Sequence, residues 1–477
     1  MAATAEPDTR RWKALTLVCA AFFMTVLDVS IVNVALPSIG TARDFSRESL
    51  QWVITAYAIT FGGFLLLGGR AGDLLGRRRV FMVGVAVFTV ASLLCGLAWS
   101  EGVLIVARAI QGLGAAIISP AALSIITTTF DEGPERNKAL GIWGAIGGSG
   151  AAVGVLAGGV LTKYLGWEWI FFVNVPVGAG ALLLTRRFVR ESRIEGRRRA
   201  DVLGAVTVTG GTALLVYALS RAPVVGWGSA RTIGLLAASV VLLAIFVLWE
   251  QRTTDPLMPL RIFRIRTVAG ANVAGLLLGA VVFSNFFILT LYVQQVLGYS
   301  ALKAGVTFVA TAGTAVATAG IAQALVTRIG VKPVLVTGMI LLTVGMVWYA
   351  QIPADGSFWP NLLPGYLAVG VGLPFAFIPV SIAALAGVEW HEAGLASGLI
   401  NTAQQVGGAV GVAIASSVAT SHFTTLVHEG TAAPAALTGG FRWAFWVMAG
   451  IAAAGAAASF ALIRRAEIAE SEAAPAA

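Results

Sequence analysis

The chain has 477 residues, of which 57% are hydrophobic and only 12% charged, with a formal net charge of +9. A soluble protein of this length would fold as two or more domains and carry about 25% charged residues on their surfaces. The composition therefore excludes a water-facing fold and indicates an integral membrane protein. The only cysteines, Cys19 and Cys95, lie in apolar runs, and His391, His422 and His428 add no metal-ligand spacing, so neither a disulfide scaffold nor a metal site is expected.

A helix needs about 20 mostly apolar residues to cross a bilayer. In chain order, such runs lie at 12–39, 51–69, 80–100, 103–125, 138–161, 169–184, 202–219, 232–249, 268–294, 302–326, 333–351, 360–385, 395–419 and 441–463. The pair 202–219 and 232–249 would leave twelve spans if re-entrant, but each is long enough to cross. The first twelve residues are polar and no small-residue cleavage site follows the first run, so no removable leader is expected. With the N-terminus in the cytoplasm, 24 Lys and Arg fall on inside positions and seven on outside ones, while Arg108 lies within a span. That bias orients both termini to the cytoplasm and makes the positive charge a statement of topology rather than of nucleic-acid binding.

The two ends of the chain echo one another. Val153-Gly154-Val155 recurs as Val410-Gly411-Val412, Gly141 maps to Gly398 at the same offset, and GRAGDLLGRRRV after span 2 has a degenerate partner, QALVTRIGVKPV, after span 10. Either this is coincidence in a Gly-, Ala- and Val-rich chain, or spans 1–6 repeat as spans 9–14. The second reading gives an N-terminal six-helix bundle over 1–200, two extra helices over 201–266 and a C-terminal six-helix bundle over 267–477. Two pseudo-symmetric bundles with a ligand path between them are a secondary-transporter architecture.

Asp28 is the acid that lies deep inside a span. An intramembrane carboxylate costs about 2.5–3.5 kcal/mol on insertion scales, so it marks either an ion or proton site or a structural ion pair. Arg108 is the base that lies deep inside a span, at a similar depth to Asp28. The two are expected either to compete with proton or substrate for one another, or to form a permanent pair. Gly69, Asp73, Gly76 and Arg77 open a tight basic turn between spans 2 and 3, where the acid suits a helix N-terminus and is positioned to latch onto the start of span 13. Gly150, Gly154 and Gly158, with Gly159 beside them, put small residues on one helix face, for a sliding seam or for ordinary close packing. Asn33, Trp52, Tyr57, Gln111, Asn285, Gln294, Asn401 and Gln404 complete a candidate substrate cavity or serve as interhelical contacts.

These residues carry a resemblance. LDVSIVNVALP (27–37) is similar to the first-helix signature of the fourteen-span drug:proton antiporters of the major facilitator superfamily. GRAGDLLGRRR (69–79) resembles the superfamily loop motif G-x-L-a-D-r-x-G-r-k, and LIVARAIQGLGAA (104–116) resembles its fourth-helix motif. GAAVGVLAGG (150–159) resembles the fifth-helix antiporter motif g-x-x-x-G-P-x-x-G-G, and WEWIFFVNVPVG (167–178) and GLASGLINTAQQVGGAVG (394–411) resemble further marks of that branch. Val155 stands where the antiporter motif has Pro, Ala71 and Leu74 replace the loop motif's Leu and Arg, and span 10 carries no acid.

The resemblance implies an all-α membrane fold of two six-helix bundles plus two additional helices. It also implies proton-coupled export of hydrophobic or amphipathic small molecules by alternating access, with Asp28 and Arg108 coupling the proton. Expected partners are protons, lipid, and neutral or monocationic substrates, with a proton gradient in place of a cofactor and a monomer as the working unit in a bacterial inner membrane. The alternative within transport is an exporter dedicated to one endogenous metabolite, natural product or lipid. An enzyme is not expected, because no His or second acid accompanies Asp28 in a span. A sensor or scaffold would need a soluble domain, and the longest polar segment is about 18 residues.

Overall fold

A computed structural model describes residues 9–43, 47–130, 133–192, 201–254, 256–389 and 392–464. Residues 1–8, part of the basic run 186–199, His391 and Arg465 lie outside that set. The described residues form fifteen α-helices: α1 (Thr9–Arg43), α2 (Arg47–Leu75), α3 (Arg77–Gly96), α4 (Glu101–Thr129), α5 (Pro134–Tyr164), α6 (Trp169–Phe172), α7 (Asn174–Phe188), α8 (Val202–Val225), α9 (Ala230–Glu250), α10 (Arg266–Leu291), α11 (Ala301–Ile329), α12 (Val331–Tyr349), α13 (Leu363–Leu385), α14 (Ala393–His428) and α15 (Ala433–Leu462).

Among the described residues, thirteen helices or helix pairs are long and apolar enough to cross a membrane, with α6 and α7 together making one of them. α5 is a continuous helix of 31 residues despite its glycines, with a shorter apolar stretch over Val153–Tyr164. Val155 keeps the backbone N–H that proline would lack, so α5 has no proline to kink it. α8 and α9 run 24 and 21 residues, each long and apolar enough to cross by itself, and pack side by side. Hydroxyl caps start several helices: Ser100 Oγ accepts from Val103 N, Ser229 Oγ from Thr232 N and Ser300 Oγ from Lys303 N.

Three sequence expectations need correction. The stretch 69–75 is not a turn: α2 runs on to Leu75, and only Gly76, at φ +107°, breaks the chain before α3. Glycine takes that left-handed conformation without steric cost. Asp73 is thereby a buried helical residue and joins Asp28 as a second acid in the apolar interior. His422 and His428 lie on α14, which continues past the apolar run that ends near 419, rather than in loops.

Helices α1–α7 pack among themselves, chiefly α2 on α4, α3 on α4 and α1 on α5. Helices α10–α15 do the same, chiefly α10 on α14, α12 on α13 and α12 on α15. The two sets meet where α5 packs on α11 and α13, and where α14 packs on α2 and α4. α8 lies against both α2 and α14, with Trp227 Nε1 donating to Ser417 Oγ of α14 at 2.6 Å. The internal echo has structural counterparts: Gly330 breaks α11 from α12 at φ +90° as Gly76 breaks α2 from α3, and Pro120 inside α4 is matched by Pro374 inside α13.

Candidate functional site

The two deep charges meet. Arg108 Nη1 donates to Asp28 Oδ2 at 2.5 Å, and both side chains are buried. Asp28 Oδ1 accepts from Gln111 Nε2 at 2.8 Å and from Asn174 Nδ2 at 3.2 Å. Arg108 also donates to Gln111 Oε1 at 2.5 Å and, through Nε, to the Val53 carbonyl at 3.0 Å. Its guanidinium lies 4.3 Å from the Tyr57 ring centroid and 5.8 Å from that of Phe171, the stacking that a planar, weakly hydrated cation favours. Gln111 Nε2 reaches further, to Ser92 Oγ at 2.8 Å.

Each contributor is set by local helix geometry. Arg108 and Gln111 are three residues apart on α4 and so share a face. Asp28 is presented by α1, and Tyr57 and the Val53 carbonyl by α2. The short α6 supplies Phe171, and Asn174 begins α7, so the WEWIFFVNVPVG stretch acts by wrapping the charge pair. An ion pair this buried is tolerated only when the remaining lone pairs and protons are also satisfied, and here the amides of Gln111 and Asn174 and a backbone carbonyl do that. Gln111 and Tyr57, read in sequence as cavity residues, belong to this charge site. Asn174, Phe171, Ser92 and the Val53 carbonyl were not singled out. Asn174 was detectable as an amide inside an apolar motif, whereas a backbone acceptor has no sequence signal.

Substrate displacing the Asp28–Arg108 contact was one expectation. In this structure Asp28 is fully buried, and its carboxylate oxygens are taken up by side chains of α4 and α7.

A separate small cavity lies between the two helix sets. The N-terminal set lines it with Phe22, Leu123, Trp143 and Gly144, and the C-terminal set with Phe377, Ser381, Ile400, Asn401 and Gln404. Phe22 and Trp143 stack with centroids 3.6 Å apart. Asn401 also crosses the seam, accepting from Ser119 Oγ of α4 at 2.9 Å. No lining residue is charged, and the signals that would have flagged Phe22, Trp143 and Ser381 are diluted in a chain this rich in apolar residues.

The other cavity candidates fall elsewhere. Asn33 is exposed on the same face of α1 as Phe22, eleven residues on, with its amide donating to its own helix at Val29 O. Trp52 stacks on Tyr217 of α8, centroids 5.7 Å apart, and so serves as a contact to the extra helices. Gln294 sits in the π-helical turn Tyr292–Val296 that ends α10, outside the lining set. Asn285 is buried in α10, its Oδ1 without a hydrogen-bond partner.

At the end of the seam, Asp73 accepts from Gly394 N at 3.1 Å and Leu395 N at 3.0 Å, the first turn of α14. Those N–H groups have no partner within their own helix, and the helix dipole favours an anion there. Arg77 holds the carboxylate from behind at 2.7 Å and is itself anchored on Ser192 Oγ. A side chain on Gly69 would strike the Gly394 carbonyl, and one on Gly76 would meet Glu191 Oε1 at 2.7 Å. Gly69 and Asp73 thus form the contact of α2 with α14, while Arg77 backs Asp73 and Gly76 packs on Glu191.

Of the two readings of the small-residue face of α5, the contacts are those of close packing. Gly150, Gly154 and Gly158 press on Val26, Leu27, Ser30, Ile31 and Val34 of α1, within the same helix set. The seam is met instead by Gly159, against Leu302 of α11, and by Gly141 and Gly144, against Gln323 and Ile378. α5 therefore has small residues on two faces, and the stripe read from spacing is the inner one.

Comparison with known proteins accords with this geometry. The family model "Major Facilitator Superfamily" matches residues 18–412. The chain is 41% identical to the puromycin resistance protein pur8 of Streptomyces alboniger, over 92% of this chain and 88% of that one. It is 40% identical to the cephamycin export protein CmcT of Amycolatopsis lactamdurans, over 84% and 83%, and 34% identical to the multidrug resistance protein Stp of Mycobacterium tuberculosis, over 86% and 76%. Among solved structures, the human organic anion transporter MFSD10 is similar in fold at a TM-score of 0.64 and 17% identity, with 94% of this chain and all of that one covered. The chain belongs to the Major Facilitator Superfamily, in the branch that holds drug- and antibiotic-export proteins.

Proposed function

We propose that the protein exports small hydrophobic or amphipathic compounds from a bacterial cell across the cytoplasmic membrane, in exchange for protons and by alternating access, as a monomer with both termini in the cytoplasm. The observation that carries this reading is the separation of a sealed proton-sized site, Asp28–Arg108–Gln111–Asn174, from a neutral aromatic cavity between the helix sets. Protonating Asp28 removes the negative half of a buried pair and frees the Arg108 guanidinium, a change worth several kcal/mol in a medium with little water. The proton needs no cofactor, and the membrane gradient supplies the energy.

The helices that build the charge site also reach the seam. α1 carries Asp28 and Phe22, α4 carries Arg108 and Ser119, and α2 carries Tyr57 and Asp73. Proton occupancy at Asp28 is thus read out as a shift of cavity and latch together. Asp73, Gly69, Gly76 and Arg77 hold the seam shut on the cytoplasmic side while the cavity releases its cargo outward, and loss of that contact reopens it inward. A cavity without acids suits neutral compounds, with monocations held over Trp143 and Phe22.

A second reading, a dedicated exporter of one natural product, is favoured by the tightness of the stacked Phe22–Trp143 wall and by relatives named for single antibiotics. A growth-inhibition panel in a pump-deficient host separates the two. The broad reading expects protection against several unrelated neutral and monocationic compounds, loss of all of it in Asp28→Asn, and none against dications. Protection against a single compound favours the dedicated exporter, and efficient protection against dications contradicts the neutral-cavity argument.

A further inference from the structure

The antiparallel pair α8–α9 closes with two carboxyl groups, at the same end of the bundle as the Asp73 contact. Asp201 caps α8, its Oδ1 accepting from Gly204 N at 2.8 Å and from Trp249 Nε1 at 2.8 Å. Glu250, the last residue of α9, is only 5% exposed, and its Oε2 accepts from Met258 N at 2.9 Å. The leftover oxygens, Asp201 Oδ2 and Glu250 Oε1, are both buried with no donor in hydrogen-bond geometry. They converge over one glycine: a Cβ on Gly204 would run into both, at 2.6 Å from Glu250 Oε1. Two carboxylates that turn bare lone pairs on one another disfavour each other's charged form, whereas one proton between them supplies the donor that each lacks.

We propose that Asp201 and Glu250 form a second proton-binding site, which holds one shared proton and thereby clamps the α9–α10 connection across the seam. Asp201 itself is held below the usual carboxylate range: burial pushes it upward, but the Gly204 N–H, the Trp249 indole and the Glu250 carboxyl outweigh that. Glu250, the more deeply buried of the pair, is the residue that carries the proton.

The connection that this site anchors runs between the two helix sets. Leu257, Met258 and Ile262 bury themselves in the core. The Pro256 carbonyl accepts from Arg70 Nη2 at 3.2 Å, and Arg70 lies on α2 between Gly69 and Asp73. Arg261 donates to Glu392 at 2.8 Å, immediately before α14. The groups that face Glu250 are Asp201 from α8 and the Leu257 and Met258 N–H groups from the connection. Arg70 of α2 approaches the same connection at Pro256, and Arg252 is exposed. As pH rises the shared proton leaves, two like charges remain, and the anchor of the connection loosens beside the Asp73 contact.

Infrared titration of the purified full chain in an Asp28→Asn background tests this directly. The expected result is a protonated-carboxyl C=O band that disappears as pH rises, is missing in Asp28→Asn/Glu250→Gln, and disappears at lower pH in Asp28→Asn/Asp201→Asn. The Gln side chain preserves the donor to Asp201 and the acceptor for Met258, so that variant keeps its fold. A band unchanged by Glu250→Gln, or unmoved by Asp201→Asn, overturns the proposal. This readout is independent of transport. A second readout rests on the proton-driven export reading: Glu250→Gln alone should lose the alkaline limb of the transport–pH profile, whereas Asp28→Asn loses gradient-driven transport at every pH. A wild-type profile retained in full by Glu250→Gln counts against the second site and leaves the export reading standing.

Discussion

Asp28 receives hydrogen bonds from Arg108, Gln111 and Asn174, and no water-facing surface offsets the loss of any of them. Removing one partner of a buried pair leaves an uncompensated charge, at about 3–5 kcal/mol. Arg108→Ala should therefore destabilise the protein by that order, and Asp28→Asn with Arg108→Gln should recover most of the loss, as measured by unfolding in detergent micelles. Strictly additive losses in the double variant would mean that the two charges do not depend on each other. Asp28 and Arg108 were legible in the sequence because charge is so scarce in the apolar runs. The amides around them were not, since Asn and Gln occur at several span positions and spacing does not tell which face one another. The counterpart of Asp28 at the offset relating Val153 to Val410 is Asn285, a buried amide, so the C-terminal set repeats the position without its charge.

At the scale of elements, the proposed mechanism makes α1, α2 and α4 levers that join the proton site to the seam, with the contact of α2 and α14 as their stop. Gly69 permits that contact because its backbone meets the Gly394 carbonyl with no side chain between. Hydrogen bonds to a charged group contribute about 1.5–3 kcal/mol each, so Asp73→Asn should shift the population between the two seam states by roughly tenfold or more. Gly69→Leu should do the same by steric exclusion. Spin-label distances between the ends of α2 and α14 would lengthen in both variants; unchanged distances would remove the latch role. The existence of the helices was plain from apolar run length. Their irregularities were not: the break at Val173 between α6 and α7 and the π-helical turn at Tyr292–Val296 leave no trace in segments that are apolar all round. Likewise the spacing of Gly150, Gly154 and Gly158 announced close packing without telling which neighbour, and the neighbour is α1 rather than the opposite helix set.

For the whole molecule, the repeat visible as a faint sequence echo corresponds to two helix sets with matched breaks at Gly76 and Gly330 and matched prolines at 120 and 374. The extra helices α8 and α9 were read as an insertion between the sets, and the structure gives them contacts with both: Trp52–Tyr217 on one side and Trp227–Ser417 on the other. The scarcity of charge first seen in composition thus resolves into a few buried positions, each tied to a different level of the bundle. The central claim is that a proton on Asp28 drives cargo through the neutral cavity. Proteoliposome transport under an imposed pH gradient tests it most directly, with wild type and Asp28→Asn measured side by side for gradient-driven accumulation and for substrate counterflow without a gradient. The account predicts that wild type does both, and that Asp28→Asn keeps counterflow while losing accumulation. Gradient-driven accumulation by Asp28→Asn at the wild-type rate would contradict it.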